Sequence, residues 1–154
     1  MVTAPKKKPR LGSARSAARL AAVQALYQRE MQGDTLPKLL TEFHTHRLGK
    51  VIGDIEYRAA DAAFFDDVVS GVVARASEVD ALIVANLGAG WALDRLDRPL
   101  RQLLRAGVYE LIARADVPTA TVIDEYVDVA NAFYEPKEAG FANGLLDAVA
   151  KQVR

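Results

Sequence analysis

The sequence predicts an all-α fold, a helical bundle of six to seven helices. Three observations predict it. Apolar residues recur at spacings of three and four through most of the chain. Pro, Gly, Ser and Asp punctuate the pattern where helix ends belong. No stretch alternates apolar and polar residues for long enough to make a strand. The valine-rich run at 68–73 has helical pattern on both flanks and is read as helix.

Residues 1–12 contain Pro5, Pro9, Gly12 and three lysines, with too little apolar surface to order themselves, and are expected to form a disordered basic arm. From Ser13, an expected N-cap, Leu20, Val23, Tyr27 and Met31 share one helical face, and Gly33 is the expected stop. A shorter helix fits Thr35 to about His46. Residues 47–60 show no period and read as a connection. Phe64, Phe65, Val68, Val69, Val72 and Val73 repeat helically, and Val79, Leu82 and Ile83 continue the repeat after a bend near Ser77. The run Leu87-Gly-Ala-Gly-Trp91 lacks the Gly-Lys-Ser/Thr ending of a phosphate loop and reads as a turn. Asp97 is an expected cap, with Pro99 tolerated in the first turn. Leu100, Leu103, Leu104, Gly107, Val108 and Leu111 form the next stripe. Glycine costs about 1 kcal/mol against alanine inside a helix, so Gly107 implies a close helix crossing. Pro118 opens a helix with Ile123, Tyr126, Val127, Ala130 and Phe133 on one side. Pro136 opens the last, where Phe141, Leu145 and Val149 align.

A chain of 154 residues is the size of one domain and can bury a sizeable core. It is 51% hydrophobic and 26% charged, a globular composition, with no apolar run of bilayer-spanning length and no secretory signal pattern. The absence of cysteine excludes disulfides, thiolate nucleophiles and cysteine-ligated zinc, and suits a reducing cytoplasm.

The net charge of zero hides an asymmetry. The first thirty residues carry Lys6, Lys7, Lys8, Arg10, Arg15, Arg19 and Arg29 against the single acid Glu30, an excess of +6 that the remainder must cancel. A basic arm on an acidic body suits nucleic-acid contact, and it equally suits a solvated tail. Arg15 and Arg19 sharpen the question. They lie four apart in the first turns of a helix, where positive charge opposes the helix dipole by some tenths of a kcal/mol. A polyanionic partner would offset that penalty.

Nothing argues for catalysis, and no cofactor or small-molecule substrate is expected. His44 and His46 point to different faces, with only Glu42 near, so no metal site is expected. The neighbouring pairs Asp66-Asp67 and Asp124-Glu125 diverge around their helices and make no acid/base couple. Asp124-Glu125 reads as a solvated edge or a cap contact.

Four segments, in order, resemble the NusB family over most of residues 13–154. They are Ala22-Val-Gln-Ala-Leu-Tyr27, the helix of Arg105 to Leu111 containing Tyr109-Glu110-Leu111, Val117-Pro118 followed by Val122-Ile-Asp-Glu-Tyr-Val127 and Ala130, and Phe141-Ala-Asn-Gly-Leu-Leu-Asp147. The resemblance implies one NusB-like domain of two packed helical subdomains, at about 13–76 and 77–154. It implies a transcription antitermination factor that binds single-stranded boxA RNA of ribosomal RNA leaders. Its implied partners are NusE, a small-subunit ribosomal protein, and the RNA polymerase elongation complex. Carried over to this chain, the RNA surface comprises the arm (Lys6, Lys7, Lys8, Arg10), Arg15, Arg19, Lys137 and Phe141, while Tyr27 lies toward the partner protein. The chain departs from the family pattern in two places. Ser16, Ala17 and Ala18 dilute the arginine cluster that often opens the first helix. Gly140 stands where a basic residue often precedes the last-helix Phe.

Two other readings compete. NusB-like domains also resemble part of certain RNA cytosine methyltransferases, but those need a long α/β domain, a glycine-rich cofactor loop and a cysteine nucleophile. A helical interaction scaffold without RNA binding would show no salt-dependent RNA affinity.

Overall fold

The computed structural model describes residues 13–48, 51–52, 55–56 and 60–154. The arm expected at 1–12 lies outside the described residues. Seven α-helices make the described body: α1 (Ala14–Gln32), α2 (Leu36–His46), α3 (Ala62–Ala74), α4 (Ala76–Ala85), α5 (Arg98–Ala113), α6 (Thr119–Phe133) and α7 (Pro136–Val153). The connection between α2 and α3 differs from expectation. It holds a minimal antiparallel ladder, β1 (Val51–Ile52) with β2 (Ile55–Glu56), in which Ile52 faces Ile55. Two residues per strand are too few to leave an alternating pattern in the sequence.

Helix ends follow local chemistry. The Ser13 hydroxyl accepts from the Ser16 amide at 3.1 Å, and Gly33 closes α1 at φ +72°, a conformation that L side chains rarely adopt. Thr35 and Asp61 cap α2 and α3 in the same way as Ser13. The break between α3 and α4 falls at Arg75, two residues before the expected bend. Asp97 stands at the N-cap of α5 without capping through its side chain. The Asp97 carboxylate takes the Tyr134 hydroxyl instead.

The centre of the molecule is α5, which is buried almost all round from Leu100 to Leu111 and packs against α1, α3, α4, α6 and α7. One cluster of buried side chains runs through all seven helices. Two glycines set its spacing. A Cβ at Gly107 would sit 2.9 Å from Leu146 and 3.4 Å from the Tyr126 ring, so α5 crosses α6 and α7 as closely as the sequence implies. A Cβ at Gly71 would lie 2.1–2.4 Å from the Tyr109 ring, a contact no atom tolerates; α3 accepts that ring only because Gly71 has no side chain. The Tyr109 hydroxyl then donates to Asp67 at 2.7 Å. Burial, reinforced by that carboxylate, pushes the phenol up to about 12.

At the far end of α7, the Arg154 guanidinium donates to the carbonyls of Glu110, Leu111, Arg114 and Val117 and to the Thr119 hydroxyl, at 2.6–3.2 Å. A cation against the last carbonyls of α5 satisfies acceptors that the helix leaves open. It also pins the end of α7 to the turn between α5 and α6.

Candidate nucleic-acid interface

The Ser13 cap starts α1 so that Arg15, Ser16 and Arg19 project toward the neighbouring helices. Arg19 does not reach solvent. It is 3% exposed, and its guanidinium grips Glu110 with two hydrogen bonds (2.8 and 3.1 Å) and Glu125 with a third (2.7 Å). The Ser16 hydroxyl also donates to Glu125, and the Tyr126 hydroxyl to Glu110. Burial works most strongly against the charged guanidinium, but Glu110, Tyr126 and Glu125 together outweigh it and raise Arg19 above its ordinary value. Burial drives the Tyr126 phenol well above its ordinary value, with the Glu110 charge adding to it.

This placement corrects two expectations. Arg19 is spoken for by carboxylates of α5 and α6, and it leaves the expected set of phosphate contacts. Glu125 is no solvated edge: it is buried, while its neighbour Asp124 is exposed. The dipole argument also changes. The negative charge that offsets Arg19 comes from within the chain, not from a polyanion.

Arg15 is different. Its side chain is 42% exposed, with Asp61 at 3.5 Å and Asp116 at 3.6 Å. Asp116 in turn takes two hydrogen bonds of 3.1 Å from Arg114, which also reaches Asp67 at 3.2 Å. The guanidinium carbons of Arg15, Arg19 and Arg114 all stand 4.7–4.9 Å from the centre of the Phe64 ring, close enough for cation–π attraction.

The remaining candidates lie at the other end of α1. There Arg101 and Gln102 of α5 bind Glu30, Arg98 donates to the Met31 sulfur at 3.0 Å, and Tyr134, just before α7, meets Asp97. The first turn of α7 therefore belongs to this end, while Arg154 holds its last turn near Asp116 and Arg15. Lys137 is exposed. The Phe141 side chain is exposed as well, at 37%, although Leu145 and Val149 on the same stripe are buried. Tyr27 is exposed too, twelve residues along α1 from Arg15, or about 18 Å at the helical rise. The end of α1 that carries Tyr27 and the start of α7 that carries Lys137 and Phe141 thus lie toward one end of the body, and Arg15 toward the other.

Sequence reasoning missed Glu110 and Glu125 as a buried pair. The available signal was an acid on an apolar helix face in each case, Glu110 between Tyr109 and Leu111 and Glu125 beside Tyr126 at helical spacing from Val122 and Val129, with an arginine in the first turns of α1 to match. His44, read as non-metallic, lies 2.6 Å from Asp66 across α2 and α3. Among the described residues, no group of three metal-ligating side chains occurs, and no helix is long and apolar enough to cross a membrane.

An all-helical body built on one central helix, with exposed aromatic and basic candidates on α1 and α7, defines an α-helical binding protein. The chain belongs to the NusB family, whose sequence profile matches residues 16–151. It is 66% identical over 143 residues to the transcription antitermination protein NusB of Novosphingobium aromaticivorans, covering 93% of this chain and 97% of that relative. The protein of the same description from Sphingopyxis alaskensis is 62% identical over 140 residues, covering 91% and 94%. Among solved structures, a complex of the antitermination factors NusB and NusE with double-stranded RNA superposes with a TM-score of 0.76 at 27% identity, covering 90% of this chain and 97% of that one. NusB of T. maritima superposes with a TM-score of 0.74 at 29% identity, covering 90% and 91%.

Proposed function

We propose that this chain is a non-enzymatic, cytoplasmic transcription antitermination factor that binds boxA-like single-stranded RNA of ribosomal RNA leaders together with NusE, within the RNA polymerase elongation complex. The observation that carries this reading is family membership over nearly the whole chain, with a solved NusB–NusE–RNA complex among the structural neighbours. The basic arm supplies long-range attraction for phosphates. Lys137 and Phe141 supply a charge and an exposed ring one helical turn apart, as a nucleotide with its phosphate requires.

The test is a titration with boxA-like RNA, with and without NusE. The acidic remainder of the chain offers no second basic groove, so NusE is expected to tighten RNA binding. By linkage, RNA then tightens NusE binding by the same factor. Independent affinities, or a duplex of the same sequence binding as tightly as the single strand, would refute the reading.

Phe141→Ala probes the surface directly. A stacked base predicts about 1–3 kcal/mol lost from RNA binding with little change in folding. A core role predicts about 3–5 kcal/mol lost from stability instead. Given the exposed ring, we expect the first pattern, checked by urea denaturation and RNA titration of the same variant.

A further inference from the structure

The carboxylates around Arg15 have no part in the function proposed so far. Arg15 is the half-exposed cation of the first turn of α1, close in sequence to Lys6, Lys7, Lys8 and Arg10. Its separations of 3.5 and 3.6 Å from Asp61 and Asp116 are long for charge-assisted hydrogen bonds, which run about 2.7–2.9 Å. Exposed pairs of this kind hold weakly. Asp116, by contrast, is fixed. Arg114 grips both of its oxygens, and Asp67 steadies Arg114 from the other side. Asp61 is fixed as well, because its other oxygen caps α3 at the Phe64 amide. Both carboxylates are thus held by partners other than Arg15. Arg15 stands directly between two carboxylates, Asp61 and Asp116, each held by a partner of its own.

We propose that Asp116, with Asp61, is a built-in competitor of RNA phosphate for Arg15, a fixed repulsive element that lowers affinity for any RNA and weighs most against RNA held by charge alone. The inference rests on the RNA-binding reading above. A boxA-like strand is held in a register set by base contacts and by NusE, which need not put a phosphate at Arg15. A strand held only through its phosphates slides to whatever cations are open to it, and the competitor closes Arg15 to it. Asp116 thereby trades affinity for selectivity.

The experiment is Asp116→Asn, which removes the charge and keeps an oxygen for Arg114. Binding is measured to boxA-like RNA and to oligouridine of equal length, over a range of salt. Tightening of about two- to fivefold at low salt is expected for oligouridine, with a smaller gain for boxA-like RNA. The gain fades as salt screens the site. The log–log salt slope steepens by about 0.7, one phosphate contact. Adding Arg15→Gln to Asp116→Asn is expected to erase the gain. Urea denaturation confirms that each variant is folded. Unchanged or weaker binding by folded Asp116→Asn, or a gain that survives Arg15→Gln, overturns the inference and leaves the RNA-binding reading standing. A wild-type chain that binds neither RNA, with or without NusE, overturns that reading itself.

Discussion

Arg19→Ala is expected to destabilise the protein by about 3–5 kcal/mol, a large share of the stability of a domain this size. The loss does not come from the hydrogen bonds alone. Glu110 is fully buried and Glu125 nearly so, and without the guanidinium each carboxylate is left in the interior with only a hydroxyl donor, from Tyr126 and from Ser16. Arg19→Lys is expected to recover only part of the loss, because an ammonium cannot reproduce the two-pronged grip on Glu110 together with the bond to Glu125. Replacing Arg19 with Met, Glu110 with Gln and Glu125 with Gln together removes the charges as a set, and is expected to lie closer to wild type than Arg19→Ala alone. Urea unfolding of the four proteins is the measurement. A loss below about 1 kcal/mol for Arg19→Ala would mean that the pairing contributes nothing net.

Removing residues 1–12 is expected to have the largest effect on binding. Lys6, Lys7, Lys8 and Arg10 each add about 0.7 to the log–log salt slope on a single strand if all four contact phosphates, about 2.8 together. Over a change from 50 to 200 mM salt, that corresponds to about 50-fold of the salt-induced weakening. The truncated protein is therefore expected to bind more weakly at low salt and to respond far less to added salt. Its melting temperature is expected to stay nearly unchanged, since the arm's composition gives it little apolar surface to bury. An unchanged slope would dismiss the arm as an RNA contact.

The helices were legible because each carries its own local signature. Ser13 and Gly33 bracket α1, Thr35 opens α2, and the stripe through Gly107 announces a close crossing; all of these are short-range matters of caps, period and volume. The ladder at 51–56 was not legible, since two-residue strands have no period to read. Nor was the accommodation of Tyr109 by Gly71, because two helices distant in sequence must first be brought together. The site was legible unevenly for the same reason. Tyr27 and Phe141 lie in the family's local motifs, Lys137 stands one turn before the second of them, and what the structure adds for all three is exposure alone. Arg19 carries the same kind of local signal as Arg15, four residues away on the same face. Only the approach of Glu110 and Glu125 separates the buried one from the exposed one.

The partners of Arg19 also impose an order of events during synthesis. Glu125 follows it by 106 residues and Glu110 by 91. At a ribosomal rate of about 5–20 residues per second, the first helix waits roughly 5–20 s for its counter-charges to be made. Throughout that interval Arg19 belongs to a nascent segment whose charge is overwhelmingly positive, beside a ribosome that is itself mostly RNA. The completed chain withdraws that arginine into its interior, so the cationic character of the newborn N-terminus is greater than that of the finished molecule.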